Sequence, residues 1–267
     1  MVANTLDKLD KYYTKEEVVK ICIKLIKENI KINPLDMIIE PSAGNGSFIK
    51  EIKGLNKNVY FYDISPEHAE IIRQDYLTLN VKATNNKIHV IGNPPFGRQS
   101  SLAIKFIKKS CDFCNTLSFI LPKSFKKDSL QKKIPLNFHL ISSVDLPEKS
   151  FTVNNNDYDV PCIFQIWEKK DYNRMVIENI LPINFTFVKK SDTHDISFRR
   201  VGVNAGAIDT YTSEKSIQSH YFIRFTNESF LNKLNEIRNI KYDFNNTVGP
   251  KSISKQEVIF HFNKIIK

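Results

Sequence analysis

The sequence lacks the marks of membrane-spanning and secreted proteins. No apolar run in its 267 residues approaches the roughly 20 residues that a helix needs to cross a bilayer. The segment that begins Met-Val-Ala-Asn-Thr lacks the basic-then-apolar layout of a signal peptide. Hydrophobic residues make up 41% and charged residues 25%, as in ordinary globular domains. We therefore expect a globular, cytoplasmic protein.

Cysteine is scarce, with four residues in the chain. Cys111 and Cys114 have the CxxC spacing, but a structural zinc site needs four ligands, and no second pair or nearby histidine completes the set. Cys22 and Cys162 lie within apolar runs and are predicted to be buried thiols. We expect no metal.

The charge has one dominant sign, with a net charge of +10 and a pI of about 9.3. A basic surface favours polyanionic partners, although it also keeps a protein in solution. The excess is spread over both halves of the chain, so there is no basic tail. Two local clusters are candidates for phosphate contacts or for solvated helix faces. They are Lys105, Lys108 and Lys109, and Lys123, Lys126 and Lys127.

Strands alternate with helices over the first 170 residues, which predicts an α/β fold with a parallel sheet covered on both faces. The predicted strands are 37–40, 58–63, 88–91, 116–121, 139–146 and 160–167. The predicted helices begin at a Thr14–Glu17 capping box, near Ser47 and at Pro66, and cover 101–110 and 123–133. Ligands of such sheets bind at the carboxyl ends of the strands. We divide the chain into a catalytic domain, 1–170, and a smaller C-terminal region, 171–267.

The C-terminal region has a weaker pattern. It predicts strands over 180–188, 197–203 and 221–225 and a helix over 227–238. We expect a small α+β region there.

A glycine-containing turn over Glu40–Phe48 follows the first predicted strand. Gly44 and Gly46 allow a tight turn and a close approach to a ligand. The turn has neither the lysine of a phosphate loop nor the complete GxGxxG fingerprint. Because Glu40 adds a negative charge, a neutral or cationic ligand fits this turn better than a pyrophosphate.

Two further acidic residues, Asp63 and Asp75, are candidates for ligand contacts. Asp63 ends the second long strand, where a carboxylate can bind both hydroxyls of a ribose; the alternative is a turn or helix-capping aspartate. Asp75 and Tyr76 could contact an adenine edge, or lie in a solvated loop.

The tetrapeptide Asn93-Pro94-Pro95-Phe96 follows the third long strand. The two prolines fix φ and remove two N–H groups. The Asn93 side-chain oxygen and the Pro94 carbonyl can then accept hydrogen bonds, and Phe96 can stack on a planar ring. An ordinary proline-rich loop is the alternative. The turn suits a flat base that carries an exocyclic amine.

These segments, in this order, resemble the amino-group methyltransferases that use S-adenosylmethionine, and more narrowly the N6-adenine enzymes of the gamma group. Tyr13-Thr14 is similar to the motif that packs around the methionine part of the cofactor, Leu121–Ser124 to a recurrent segment, and Arg200–Gly206 to part of a recognition region. The resemblance implies a Rossmann-like class I methyltransferase sheet with seven strands, the last an antiparallel insertion.

The resemblance also implies the residues of the site. Glu40 is expected near the methionine amino group, Asp63 at the ribose and Asp75 at the adenine of the cofactor. The expected cofactor-binding residues are Tyr13, Thr14, Glu40, Pro41, Ser42, Ala43, Gly44, Gly46, Asp63, Ile64, Asp75, Tyr76 and Asn93. The expected catalytic residues are Asn93, Pro94, Pro95 and Phe96. Independently of the resemblance, Phe151 or Tyr158 could supply a second stacking face, or either could belong to the core.

The function that follows is site-specific DNA adenine-N6 methylation of a flipped base, with S-adenosyl-L-homocysteine as the other product. The expected partners are nucleic acid, double-stranded DNA first, and a restriction endonuclease counterpart or a second copy of the chain. Three alternatives stay open: an RNA adenine-N6 methyltransferase, an enzyme that methylates a protein glutamine, and an inactive module that only binds nucleic acid.

Overall fold

The computed structural model describes residues 12–82, 84–153, 156–176, 178–244 and 250–266. The chain divides into two compact units, Met1–Val176 and Ile177–Lys267. Residues 1–11, which include the segment compared above with a signal peptide, lie outside the described residues, as do 154–155 of the polar loop before the last long strand.

The first unit is built on a seven-stranded sheet and a small three-stranded sheet. Its strands are β1 (Tyr13–Thr14), β2 (Met37–Glu40), β3 (Val59–Asp63), β4 (Ile72–Arg73), β5 (Ile88–Gly92), β6 (Thr116–Pro122), β7 (Phe138–Asp145), β8 (Phe151–Val153), β9 (Asn156–Tyr158) and β10 (Cys162–Lys169). Its helices are α1 (Glu16–Asn29), α2 (Ile49–Lys53), α3 (Ser101–Cys111) and α4 (Asp128–Gln131), with 3-10 turns at Tyr76–Thr78, Arg98–Ser100 and Lys123–Lys126.

The strand order of the large sheet is β4-β3-β2-β5-β6-β10-β7. The pairs among β4, β3, β2, β5 and β6 are parallel, whereas β10 is antiparallel to both β6 and β7. The order reverses between β2 and β5, which is where doubly wound sheets bind ligands. The predicted fold class, a Rossmann-like class I methyltransferase sheet with an antiparallel insertion, is confirmed.

Helices cover both faces of the central strands, which accounts for their nearly continuous apolar sequences. Successive strand residues point to opposite faces, so Ile38 belongs to one buried cluster and Ile39 to the other. The first cluster includes the apolar stripe of α1, and the second includes the buried residues of α3. This packing fixes the strand ends from which the site is built.

Three predicted helices differ from the structure. Helix α1 begins at Glu16 with Lys15 as N-cap and no side-chain cap, so the predicted Thr14 capping box is wrong; Thr14 lies in β1, paired with β8. No helix follows Pro66: residues 64–71 form turns and β4 follows them, because Glu67 N–H bonds the Gly44 carbonyl across the site. The predicted helix over 123–133 is a 3-10 turn followed by the short α4.

The second unit has a four-stranded antiparallel sheet in the order β11-β14-β12-β13. Its elements are β11 (Phe185–Val188), β12 (Ile196–Arg199), β13 (Ile208–Asp209), β14 (His220–Phe225), a 3-10 turn at Glu228–Lys233, α5 (Leu234–Arg238) and α6 (Lys255–Ile265). The sheet and α6 share an aromatic core, in which Phe262 contacts Phe185 and Phe198.

Helix α6 is absent from the sequence-based prediction, although the sequence contains a capping box at its first turn. Ser254 accepts from the Glu257 N–H, and the Glu257 carboxylate accepts from the Ser254 N–H, which is a complete capping box. Buried apolar residues follow at helical spacing, at Val258, Ile259 and Phe262. Within the described part of the chain, no helix has both the length and the hydropathy to cross a membrane.

Candidate active site

A cavity of about 260 Å³ opens at the carboxyl ends of β2, β3 and β5. Most of the predicted site residues line it. They are Tyr13, Thr14, Glu40, Pro41, Ser42, Ala43, Gly44, Asp63, Ile64, Asp75, Tyr76, Asn93 and Pro95. Three predicted residues, Gly46, Pro94 and Phe96, do not line it in this structure. The fold therefore gathers residues that are far apart in sequence into one concave site.

The turn after β2 is held from the next strand. The Gly44 N–H donates to Asp63 Oδ2 at 2.8 Å, and the Ser65 N–H donates to Asp63 Oδ1 at 2.7 Å. Gly44 has a φ of +54° and lies beneath the Tyr13 ring. Gly46 has a φ of +86°, and a Cβ there would lie 2.8 Å from Ile49 Cδ1. Gly46 thus shapes the turn, while Asp63 both fixes the turn and faces the cavity.

Glu40 is the most unusual group in the cavity wall. Its side chain is buried, and its Oε2 has no hydrogen-bond partner among the described residues. Burial, followed by the charge of Asp63, raises the Glu40 pKa to about 8. A buried carboxyl without a partner is costly, so this oxygen marks a place where a ligand with a positive charge or a donor would be stabilised.

The cavity wall as a whole is acidic. Four carboxyl groups line it, and the described residues that line it include no lysine, arginine or histidine. The four are Glu40, Asp63, Glu67 and Asp75. Opposite charges within a few ångströms stabilise each other most where water is excluded. The wall therefore favours a ligand with positive charge, in agreement with the sequence-based preference for a neutral or cationic ligand over a pyrophosphate.

Flat apolar groups form another part of the wall. The Tyr76 ring stacks on Phe106 with centroids 5.4 Å apart, and its buried hydroxyl is hydrogen-bonded to Ser110. Asp75 caps the 3-10 turn by accepting from the Leu77 N–H at 2.9 Å, and it remains exposed at the cavity. A flat apolar wall beside a carboxylate suits a planar heterocycle that carries N–H groups.

The segment Tyr12–Thr14, which we call the strap, crosses the cavity. The Tyr13 hydroxyl donates to the Glu67 carboxylate, 2.8 Å from each oxygen. Burial and this hydrogen bond raise the Tyr13 pKa to about 12. Strand pairing of β1 with β8 fixes the strap from its other side. Tyr13 therefore stays protonated near neutral pH and links the strap to the loop after β3.

Asn93 is held at three points. Its side-chain Nδ2 donates to the Tyr12 carbonyl and to Thr14 Oγ1, both at 3.3 Å. Its backbone carbonyl accepts from the Ser42 hydroxyl at 3.1 Å. Because the Tyr12 carbonyl oxygen can only accept, the side-chain NH₂ group of Asn93 must face the strap. The Asn93 Oδ1 is buried and has no partner in the described structure. It is a neutral acceptor on a residue that lines the cavity.

The rest of the tetrapeptide is anchored differently. Pro94 is buried, and partly buried Phe96 packs against both core clusters of the unit. The Phe96 carbonyl accepts from the N–H groups of Leu102 and Ala103 at the start of α3. Phe96 therefore contributes to the core as well as to the neighbourhood of the cavity.

The two candidates for a second stacking face are separated by the structure. Phe151 is 1% exposed and belongs to the core, which is one of the two alternatives drawn from the sequence. Tyr158 is 42% exposed, and its ring lies 5.1 Å from that of Tyr12. Tyr158 is the aromatic residue of this pair that a ligand can reach.

Among the lining residues that the sequence analysis did not single out, three take part in the contacts described above. They are Glu67, Phe106 and the carbonyl-bearing Tyr12. Glu67 could have been found, because it is a second carboxylate in the loop that follows β3. Phe106 lies on the apolar stripe of α3 and carries no signal of its own. The Tyr12 contribution comes from the backbone, which no residue pattern reveals.

All four cysteines are buried and free. Burial raises the pKa of Cys22 and Cys162 and, most strongly, that of Cys114. The residues that the structure describes contain no group of three or more His, Cys, Asp or Glu arranged to hold a metal ion.

No protein-family model matches the sequence, and no curated protein matches it. Solved structures that resemble the fold include a provisionally assigned RNA methyltransferase from Pyrococcus horikoshii, 15% identical over 60% of this chain and 87% of that one, with a TM-score of 0.49. The 23S rRNA methyltransferase ErmE is 15% identical over 62% and 72% of the two chains, with a TM-score of 0.45.

The M protein of the type I restriction enzyme EcoKI is 16% identical over 61% of this chain and 45% of that one, with a TM-score of 0.46. These likenesses concern the fold and carry no argument about activity. The assignment of the fold rests on the strand order and on the direction of β10.

Proposed function

We propose that this chain is an S-adenosylmethionine-dependent methyltransferase that methylates N6 of adenine in nucleic acid, with DNA as its first substrate. The observation that carries the proposal is the buried Asn93 Oδ1, which has no partner in the described structure and belongs to a residue that lines the same cavity as Glu40. One oxygen suits a neutral amine, and the other suits a cation.

The cavity fits the cofactor in charge and shape. Glu40 would bind the methionine ammonium group, Asp63 the ribose hydroxyls, and Asp75 the adenine edge, beside the flat wall formed by Tyr76. Because the four carboxyl groups are not balanced by a basic side chain among the described lining residues, a cation is favoured over an anion. When bound, S-adenosylmethionine supplies a methyl group on a positively charged sulfur.

The chain's own residues would hold the target amine. The Asn93 Oδ1 and the Pro94 carbonyl would accept its two N–H groups, which favours a tetrahedral nitrogen whose lone pair faces the methyl group. This is positioning together with electrostatic stabilisation of developing positive charge. The nitrogen becomes acidic as it gains the methyl group and then releases one proton to water, so no strong base is needed beforehand. Phe96 and Tyr158 would contact the flipped base.

Nucleic-acid contacts are proposed from charge and position. The net charge is +10, and Arg98, Lys105 and Lys108 are exposed on the segment that follows the tetrapeptide. Lys123 and Lys126 are weaker candidates, because both form ion pairs with Asp145. We further propose that the second unit is the target-recognition region. Its pocket combines the cationic Arg238 and Lys241 with aromatic rings and the Asn204 amide.

The test is methyl transfer by the purified chain. Protein and methyl-labelled S-adenosylmethionine are incubated with adenine-containing double-stranded DNA, single-stranded DNA and RNA, and the products are digested and analysed by mass spectrometry. N6-methyladenine in DNA supports the proposal. The same product in RNA alone would replace DNA by RNA as the substrate.

Calorimetry with S-adenosylmethionine separates the remaining outcomes. Cofactor binding without transfer to any nucleic acid would overturn the proposed activity and favour a protein substrate or an inactive module. No cofactor binding would overturn the proposal altogether. Asn93→Ala serves as the matched control, since it removes the side-chain acceptor while leaving the Pro94 carbonyl in place.

A further inference from the structure

We propose that Thr14 is a positioning residue: its hydroxyl, together with the Tyr12 carbonyl, fixes the orientation of the Asn93 amide and keeps the side-chain oxygen without a partner among the described residues. The inference rests on the proposed function for what that oxygen binds, because its value in methyl transfer depends on an incoming amine. It assigns to the strap a task at the target base, in addition to forming part of the cofactor wall.

The hydrogen-bond geometry sets the direction of the amide. Nδ2 of Asn93 lies 3.3 Å from both the Tyr12 carbonyl and Thr14 Oγ1. An amide rotated by half a turn would place its oxygen against the Tyr12 carbonyl, and two acceptors in contact repel each other. In the observed orientation, Oδ1 is buried and has no partner among the described residues. Two long hydrogen bonds to the strap hold the amide in this orientation until an amine arrives.

The strap is itself well anchored. Thr14 is 6% exposed and pairs with Phe151 in the β1–β8 ladder, and the Lys15 N–H continues the ladder by donating to the Ser150 carbonyl. The Tyr13 hydroxyl binds Glu67 on the loop after β3. The Thr14 hydroxyl does not cap α1. Its side chain is therefore available to accept from Asn93, and the backbone around it holds that acceptor in place.

The alternative is that Thr14 only fills space beneath the cavity. A space-filling residue would tolerate valine, which has nearly the same shape and the same strand preference but no acceptor. A positioning residue would tolerate serine and fail with valine. The β8 residue Thr152 offers a matched control, because it pairs with Tyr13 in the same ladder and does not line the cavity.

The experiment compares Thr14→Val, Thr14→Ser and Thr152→Val in the full chain. Steady-state methylation gives kcat and the KM for the cofactor. In Thr14→Val we expect kcat to fall about tenfold or more, since each tenfold corresponds to about 1.4 kcal/mol, while the cofactor KM changes by less than about threefold. Thr14→Ser should recover most of the lost kcat, and Thr152→Val should match the parent.

A second measurement does not depend on activity. The ¹⁵N-labelled side-chain amide of Asn93, assigned by its loss in Asn93→Asp, is followed by NMR in the ligand-free protein. We expect its signals to shift and its protons to exchange with water about tenfold faster in Thr14→Val only.

The outcomes separate the two proposals. If the parent methylates nucleic acid but Thr14→Val keeps the parent's kcat, the positioning role is wrong. An equal loss in Thr14→Ser or in Thr152→Val would also overturn it, because the hydroxyl would then not be the cause. If the parent methylates nothing, the proposed function fails by itself. The NMR result then decides: unchanged Asn93 signals in Thr14→Val contradict the positioning role, and altered signals in that variant alone support it.

Discussion

The loops that follow β2 and β5 are neighbours at one edge of the sheet, yet they present opposite chemistry to the cavity. The first begins directly after the buried, ionisable carboxyl of Glu40, and the second carries the neutral amide of Asn93. Each has a buried oxygen without a partner in the described structure. A carboxylate stabilises a cation, whereas an amide oxygen holds an amine without drawing a proton to it. One cavity can therefore hold a positively charged methyl donor beside a neutral amine that accepts the methyl group.

The supports of the two loops differ as well. The β2 loop relies on Gly44 and on the carboxylate of Asp63, which accepts from its backbone. The β5 loop relies on prolines and on the strap, which binds the Asn93 side chain. Changes in one loop should therefore affect cofactor affinity, and changes in the other should affect the methyl-transfer step.

The largest effect is expected for Asn93→Ala. Removing a positioned hydrogen-bonding group from a transition state costs about 10²–10³ in rate, and we expect kcat to fall by at least that factor. Cofactor affinity should stay within about threefold of the parent, as measured by calorimetry. A variant with full activity would contradict the role of Asn93. A large loss of cofactor affinity would show that Asn93 acts in cofactor binding and not in the methyl-transfer step.

Glu40→Gln should come next, and it should act on the cofactor. Hydrogen bonds to charged groups contribute about 1.5–3 kcal/mol, which corresponds to roughly 10- to 100-fold in Kd. Because glutamine keeps the shape and removes the charge, the fold should persist in thermal unfolding. Unchanged affinity in calorimetry would show that Glu40 does not meet the ammonium group.

Asp63→Ala is expected to weaken cofactor binding about tenfold, the effect of losing roughly 1.4 kcal/mol. The variant loses the acceptor for the Gly44 N–H as well as the proposed ribose contact. Asp63→Asn is the matched comparison, since the amide oxygen can still accept one backbone N–H. If both variants bind the cofactor like the parent, the ribose role of Asp63 is excluded.

The smallest effect is a pH dependence that arises from Glu40. Its pKa is raised to about 8, so the ligand-free protein holds a proton there that a bound cation displaces. Cofactor affinity should rise about fivefold between pH 7 and 8, as the ionised fraction grows, and should level off above that range. Calorimetry in buffers of different ionisation enthalpy should detect the released proton, and Glu40→Gln should abolish both signals.

The same shift affects stability in the opposite direction. The folded state binds a proton at Glu40 more tightly than the unfolded chain does, because the folded pKa is raised. This contribution to the free energy of unfolding is present below the unfolded pKa of about 4.5 and is lost as pH rises through about 8. A ligand-free stability curve in which Glu40→Gln removes that decline would confirm the sign.

Much of the first unit could be predicted because its signals are local. Short apolar strands such as Met37–Glu40 and Ile88–Gly92 are followed directly by glycine and proline turns, and side chains at strand ends converge in a parallel sheet. Helix α6 was missed although its capping box is a local signal, whereas two other errors came from local signals that tertiary contacts overrode. Pro66 opens no helix because the chain there bonds the glycine turn, and Thr14 caps no helix because it pairs in a ladder and faces Asn93.

Local patterns in the sequence were enough to predict six of the seven strands of the large sheet, all but β4, and three of the four carboxyl groups that line the cavity. The orientation of the Asn93 amide and the burial of Glu40 Oε2 without a partner among the described residues became visible in the folded structure alone. Both properties depend on residues that are far apart along the chain. The partners of the Asn93 amide lie 79 and 81 residues away, and the burial of Glu40 depends on strands and loops that assemble only in the fold, so neither property is written in a local pattern.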